Sequence, residues 1–337
     1  MELLLGFSLV LVASFFQGTF VLPMTMTKRW QWEHTWATFS LLGMLIFNWI
    51  LTFLFIPNIL TIYSSVASKD IFLLILFGAG WGIGAVLFGL AMDKLGMALG
   101  YPIIMGLIAS LGALIPLVVF FPASLLSSKG LVLLAGTALV IAGIVLCSKA
   151  GSRKEPSNET ASSTKTSSFA AGLTIAILAG VLSCFPNVGI AFGTNVIDKA
   201  KSTGVLDTFA GNAVWALFFT TGFVVNFSYC LLLMVKRRNL SGYFVSEKNK
   251  NLVLGVLMAA MWIGSFYLYG MSAAKLGKWG VVVGWPLFIS LSILVGNLWG
   301  LWRGEWKGAP ASARSLLNRG LIILFIAVIT VALSNAL

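Results

Sequence analysis

Residues 79–96 read AGWGIGAVLFGLAMDKLG, and residues 260–277 read AMWIGSFYLYGMSAAKLG. With Trp81 set on Trp262, an offset of 181, Gly89 meets Gly270, Lys94 meets Lys275, Leu95 meets Leu276 and Gly96 meets Gly277. The likeness extends to both sides. Trp36-Ala37 and Gly43 match Trp215-Ala216 and Gly222 at an offset of 179, and Gly100-Tyr101-Pro102 with Gly112 match Gly284-Trp285-Pro286 with Gly296 at 184. The first helices agree more weakly, through Gly6 and Gly172. Self-similarity over consecutive elements decides an architecture before any local reading does. This chain holds two copies of one unit.

Both copies are built for lipid. Of 337 residues, 59% are hydrophobic and 9% charged, and the mean hydropathy is +0.98. A soluble domain carries about 25% charged residues. A water-soluble enzyme, a disulfide scaffold and a disordered chain are therefore excluded. Cutting the chain at each charge leaves ten windows, 3–27, 35–68, 71–92, 95–128, 130–148, 166–197, 208–235, 251–274, 279–302 and 320–337, each at least 18 residues long. A spanning helix needs about 20 apolar residues. A barrel strand would show about ten residues of alternating polarity instead. Helices satisfy their own peptide groups in lipid, so the windows predict an all-α integral membrane fold of ten transmembrane helices. Cys147, Cys184 and Cys230 fall inside windows and read as small packing residues, not as a metal site or a disulfide. The Met-Glu start lacks the basic residues of a signal peptide, so residues 3–23 read as a retained first helix.

Ten helices in two copies give five apiece. An odd number sends the second copy into the membrane upside down. That is the inverted-repeat plan of secondary transporters, with the substrate near the midplane between the copies. The predicted division is 1–149 for the first five-helix repeat, 150–168 for a polar cytoplasmic linker rich in Ser and Thr, and 169–337 for the second repeat. Alternate loops carry 16 basic residues on one side and 6 on the other. The net charge of +12 is thus a topology signal and not a nucleic-acid footprint. The side with 16 faces the cytoplasm by the positive-inside rule, which puts both termini outside.

Several side chains stand out against this background. Trp81 and Trp262 lie well inside their windows, away from the interfaces where Trp gathers. A buried indole needs a partner for its N–H, which a hydroxyl-rich ligand supplies while its C–H face stacks on the ring. The glycines around Trp81 (78, 80, 82 and 84) have a simpler reading as close helix packing. Tyr101-Pro102 and Trp285-Pro286 predict kinks, where transporters build their sites or where a bundle is merely shaped. Tyr267 and Tyr269 follow Trp262, and Trp215 matches Trp36. Polar residues inside apolar windows need partners, either a ligand or a neighbouring helix. Gln17, Asn48, Asn187, Asn195, Asn226 and Asn297 are of this kind, and Pro186 before Asn187 predicts a broken helix. Glu33 lies three residues before Trp36 and is followed by His34, the only histidine; the repeat sets Asn212 opposite it. One reading of Glu33 is a helix-start charge at the surface. The other is a carboxylate whose protonation couples to substrate. Asp93, Asp198 and Asp207 are the remaining carboxylate candidates, all at window ends.

Several stretches carry a resemblance: Pro23 with Lys28-Arg29-Trp30-Gln31-Trp32-Glu33, Ile56-Pro57-Asn58 with Tyr63-Ser64-Ser65, the run from Phe77 to Gly100, and Gly304-Glu305-Trp306-Lys307. Together they resemble the L-rhamnose–proton symporter family of the drug/metabolite transporter superfamily over nearly the whole chain. The chain departs from that pattern at Thr25-Met26 and around Phe185-Pro186-Asn187, as a divergent member would. The resemblance implies the drug/metabolite transporter fold and sugar uptake across a bacterial inner membrane, with both termini then periplasmic. It carries proton coupling onto Glu33, with His34 beside it. The combined expectation is a secondary active importer of a neutral monosaccharide, L-rhamnose or a related sugar, by proton symport. Na+ is the alternative ion. Gln17, Trp81, Tyr101, Asn187, Asn212, Trp215, Trp262, Tyr267, Tyr269 and Trp285 would bind substrate. No cofactor, metal or nucleic acid is expected, the partners are the sugar, the proton and the bilayer, and the oligomer is a monomer or weak dimer. The rivals are an exporter or facilitator of another small metabolite on the same fold, a membrane enzyme on lipid-linked sugars and a channel. One histidine and no acidic cluster speak against the enzyme, and no carbonyl loop or charged ring marks a filter.

Overall fold

Peptide groups find no partner in hydrocarbon, so every crossing segment must close its own hydrogen bonds. A computed structural model describes the backbone of residues 2–154, 165–304 and 306–334; the side chains of 92–93, 95–99, 101–102, 152, 154 and 165–170 lie outside the description. Among the described residues all regular structure is helical. Ten helices among the described residues are long and apolar enough to cross a membrane: α1 Glu2–Met26, α2 Trp32–Phe55, α3 Ser68–Ala91, α4 Ile103–Phe120, α5 Ser128–Gly151, α6 Ala171–Phe192, α7 Asp207–Arg237, α8 Lys248–Lys275, α9 Gly277–Trp302 and α10 Ala311–Ser334. The protein is an all-α, multi-pass membrane protein. Apolar side chains such as Leu4, Leu54, Leu232 and Phe325 point outward, as lipid allows.

Local irregularities follow the sequence in part. The α-helical part of α1 ends at Thr19, and Pro23 sits in a 3-10 turn over Leu22–Met26. Helix α6 breaks at Cys184 ahead of Pro186, as the Cys-Phe-Pro-Asn run predicts. At the other two prolines the helix is not broken. Pro286 lies inside the continuous helix Gly280–Trp302, and backbone helix runs unbroken from Ser68 to Phe120 through Tyr101-Pro102. The loop foreseen at Asp93-Lys94 is absent for the same reason: those two charges sit in an otherwise apolar Leu- and Gly-rich run with no turn-forming cluster. The middle of the foreseen linker, 155–164, lies outside the described residues, while its ends at 150–154 and 165–168 are helical. Helix α2 holds a surprise. Residues Ser40–Phe47 form a π-helix between two α-helical segments.

The chain packs as two compact units, Met1–Ile83 with Val188–Gly280, and Gly84–Asn187 with Val281–Leu337. Each unit draws on both sequence halves. In the first, α1 runs against α8: the Ser272 hydroxyl donates to Gly6 O at 2.7 Å, and Ser265 Oγ lies 2.7 Å from Gln17 Oε1. Helix α2 runs antiparallel to α7, with Trp36 Nε1 donating to Asn226 Oδ1 at 3.1 Å near one end and Asn48 Nδ2 to Trp215 O at 3.0 Å near the other. In the second unit α5 and α10 are antiparallel too: a Cβ on Gly136 would lie 2.6 Å from Val331 Cγ2, and one on Gly320 would lie 2.6 Å from Cys147 Sγ.

Contacts exchange under the repeat offsets. Phe39 packs on Trp262 with centroids 5.2 Å apart, and Phe218, its match, packs on Trp81 at 6.1 Å. A Cβ on Gly43 would meet Ala259 Cα at 3.3 Å; one on its match Gly222 would meet Gly78 O at 3.4 Å. Even the Gln17–Ser265 contact has a counterpart within the second unit, where a Cβ on Gly84 would meet Ser183 N at 2.9 Å. Antiparallel matched helices with interchanged contacts are what two oppositely inserted copies produce.

Glycine is required where backbones approach this closely. A Cβ at Gly222 would press on the Trp81 ring at 2.7 Å, whereas Gly89 has nothing within 4 Å. Gly222→Leu should therefore lower stability by about 1–3 kcal/mol through overpacking, and Gly89→Ala should leave it unchanged or raise it. Thermal unfolding of the purified protein in detergent checks both.

Candidate functional site

The close approach at Gly43 and Gly222 brings α3 and α8 together at their tryptophans. Trp81 and Trp262 stack on one another with ring centroids 5.7 Å apart and planes 23° off parallel. Phe219 stands edge-on to both, at 5.4 and 4.7 Å. On its other side Trp215 stacks against Phe219 at 4.9 Å. The result is a continuous aromatic wall from Trp81 to Trp215 within the first unit. Parallel and edge-to-face pairs at these distances are each worth about 0.5–1.5 kcal/mol beyond burial.

Amides and hydroxyls adjoin the wall. Trp215 Nε1 donates to Asn212 Oδ1 at 3.1 Å. Asn212 is fully buried, and its Nδ2 has no hydrogen-bond partner. The Tyr267 hydroxyl lies 2.7 Å from Thr52 Oγ1 and 2.9 Å from Asn48 O. Asn48 Nδ2 in turn donates to Trp215 O and to Ala216 O, at 3.0 and 3.3 Å. Gln17 reaches the same unit through Ser265, and Tyr269 is fully buried there.

The remaining predicted residues are elsewhere. Asn187 and Trp285 belong to the second unit. Both hydrogens of the Asn187 amide are committed, to Gly112 O at 2.6 Å and Val281 O at 2.7 Å. Trp285 donates to Ile108 O at 2.8 Å and lies against Gly112. The Tyr101 side chain and that of Asp93 lie outside the described residues. Asp198 sits on the short helix Thr194–Ser202, and Asp207 opens α7 ahead of Asn212 and Trp215.

Glu33 and His34 open α2 and form a second cluster. The Glu33 carboxylate is wholly buried. Arg237 Nη1 donates to both of its oxygens, at 3.1 and 3.0 Å, and Asn239 Nδ2 donates to Oε1 at 2.7 Å. His34 Nδ1 accepts from the Gln31 N–H at 3.1 Å, which leaves Nε2 to donate to Asn239 O at 2.9 Å. The Tyr243 hydroxyl donates to His34 O at 3.1 Å; burial raises that phenol above its ordinary range and keeps it a donor. The basic residues of two loops meet here. Lys28 exchanges two backbone bonds with the Asn251 amide, and Arg29 reaches Ser246 Oγ at 3.3 Å and Glu247 at 3.6 Å. The Ser246 hydroxyl first, then Arg29 and Lys28, hold the Glu247 carboxyl below its ordinary range. At the opposite end of α1 and α8, Glu2 pairs with Lys275, so the N-terminus and this basic cluster lie at opposite ends of the first unit.

Sequence reasoning missed Arg237, Asn239 and Thr52. Arg237 was one charge among 16 on the basic side, and no spacing ties it to a carboxylate 204 residues away. Thr52 is a single hydroxyl in an apolar run.

Ten described helices fit to cross a membrane, matched helices in opposed pairs and an aromatic wall edged with amides are the features of a secondary transporter. The profile of the L-rhamnose-proton symport protein family matches residues 2–337, and the chain belongs to that family. It is similar to proteins named L-rhamnose-proton symporter: 27% identical to that of Citrobacter koseri over 328 residues, covering 94% of each chain; 28% to that of Klebsiella pneumoniae over 328 residues, again 94% of each; and 26% to that of Yersinia pestis over 341 residues, 99% of this chain and 98% of the relative.

The Asn48 side chain donates to three backbone carbonyls and accepts from the Tyr267 hydroxyl on Oδ1 at 3.2 Å. Asn48→Ala should lower stability by about 1–3 kcal/mol, because it strands buried polar groups. Tyr267→Phe, which removes one hydroxyl, should lower it by about 1 kcal/mol. Unfolding midpoints of the two variants test this ranking.

Proposed function

We propose that this protein imports a neutral monosaccharide, L-rhamnose or a closely related sugar, together with a proton by alternating access. The observation that carries the reading is the Trp81–Trp262 stack. One ring comes from each sequence half, and the two are matched by the repeat. Rings in direct contact leave no room for a pyranose between them. Loading the site therefore means parting the stack, so that each indole exchanges its partner's face for a face of the sugar. Asn212 Nδ2, buried without a partner, is the donor best placed to gain from a sugar hydroxyl. Trp215, Tyr267, Tyr269 and Gln17 complete the lining from the same unit. The relatives named L-rhamnose-proton symporter support the choice of sugar and ion.

Glu33 is the proposed coupling carboxylate, with His34 its neighbour. The basic loops support an inward orientation for the Glu33 end, hence a bacterial inner-membrane protein with periplasmic termini. We further propose that sequence residues 1–149 and 169–337 are the functional repeats, whatever the compact units. A second reading has one observation in its favour. Glu33 sits in its own cluster and not in the aromatic wall, an arrangement that an uncoupled facilitator on the same fold would share.

Uptake of labelled L-rhamnose into proteoliposomes tests the proposal. Accumulation should require an inward proton gradient and collapse with a protonophore. Trp262→Ala and Asn212→Ala should cut uptake by about tenfold or more each, the scale of one lost stacking face or buried hydrogen bond. No uptake of any monosaccharide would end the sugar reading. Equilibration indifferent to the gradient would establish the facilitator instead.

A further inference from the structure

The Glu33 cluster has a geometry that a surface ion pair does not need. Every contact to the carboxylate comes from a donor: Arg237 Nη1 reaches both oxygens, and Asn239 Nδ2 adds a third bond at 2.7 Å. Protonation would remove the charge that strengthens all three bonds and use up acceptor capacity that they draw on. A neutral Glu33 is thus held more weakly by the cluster as built. The carboxylate and its ring of donors also span the two sequence halves, joining the start of α2 to the end of α7 and the segment that follows.

Backbone strain is concentrated at the same place. Arg29 and Arg238 are the only non-glycine residues with positive φ among those described, at 60° and 52°. Left-handed backbone in a residue with a Cβ persists where surrounding contacts over-determine it. Arg238 ends α7 in that conformation and thereby delivers Asn239 to both Glu33 and His34. The repeat supplies a control. The positions matched to Glu33 and Arg237 are Asn212 and Asn58, which carry no charge. The α2–α7 pairing is tied by a buried carboxylate at one end and by neutral side chains at the matched positions; the Glu2–Lys275 pair at that other end joins α1 to α8 instead.

We propose that Glu33, Arg237 and Asn239 form a latch that holds the basic end of α2 and α7 closed, that protonation of Glu33 opens it, and that Arg237 and Asn239 are the positioning residues through which the proton acts. The inference rests on Glu33 being the coupling carboxylate. Protonation removes the negative charge and turns one acceptor into a donor, so Arg237 and Asn239 lose their hold. Release of that proton re-forms the latch. Other ionisable groups around the carboxylate are His34 on α2, Cys230 and Arg237 on α7, and Tyr243 on the connecting segment. Coupling through this pair then acts on one gate only, since the matched positions Asn212 and Asn58 have no proton to exchange.

Cys230 is a built-in reporter. It is fully buried under the latch, against Ala37 and Met234, with Trp36, Phe227 and Tyr243 around it. In the full chain carrying Cys147→Ala and Cys184→Ala, the rate of maleimide labelling at one fixed pH reads how often this end opens. Glu33→Gln, neutral and itself a donor, and Arg237→Gln should each speed labelling by about tenfold. Arg237→Lys should retain the parent's slow rate. Cooperative thermal unfolding shows which variants are folded, and the isosteric Glu33→Gln carries the test where Arg237→Gln fails that criterion. Unchanged rates in the folded neutral variants would overturn the latch. So would a fast rate in Arg237→Lys, which would mark Arg237 as packing alone. Gradient-driven uptake by Glu33→Gln addresses the underlying reading separately: persistent accumulation would remove Glu33 from coupling, and the labelling rates would still decide the latch.

Discussion

Two indoles can meet in the middle of a membrane protein only if the helices around them come close enough to let them. Here Gly43, Gly78, Gly82 and Gly222 do this. A methyl group on Gly222 would press on the Trp81 ring, and one on Gly82 would lie 2.9 Å from Val225 Cβ. Between helices in lipid there is little hydrophobic drive, so small residues and dispersion do most of the holding. From this contact the rest of the first unit follows. Trp81 meets Trp262, Phe219 seals their edges, and Trp215 extends the wall to the buried Asn212.

The two copies are similar but not identical, and their differences carry the chemistry. Matched helices α2 and α7 share the Phe39/Phe218 and Gly43/Gly222 contacts. Yet α2 contains a π-helical stretch over Ser40–Phe47, and α7 is regular α-helix from Trp215 to Arg237. Glu33 on α2 is charged and triply bonded, while its counterpart Asn212 is neutral with an idle donor. Such departures distinguish one end from the other. Under the proposed coupling, the charged end answers to a proton and the neutral end to a sugar hydroxyl.

How much of this was legible beforehand varies with the physics behind it. The spans were legible because a charge inside hydrocarbon is costly and so is kept to the ends. The repeat was legible because Trp, Gly and Lys recur at nearly constant offsets. Proline was a poorer guide. Pro186 stands just past a real break at Cys184, but Pro286 is absorbed in a continuous helix where losing one backbone bond does not end it. The prolines beside Trp285 and Asn187 suggest ligand-facing positions, yet both residues spend their donors on backbone carbonyls. Residue type reveals that a buried polar group needs a partner; only the fold reveals which. The Glu33–Arg237 pair lay beyond reach, since long-range partners leave no local pattern.

If sugar binds where Trp81 and Trp262 meet, a crystal structure with L-rhamnose bound will show it. Density for the sugar is expected between the two indoles, with the rings moved apart from their 5.7 Å stack and Asn212 Nδ2 bonded to a hydroxyl. Sugar bound at another place while the indoles remain stacked would rule this site out.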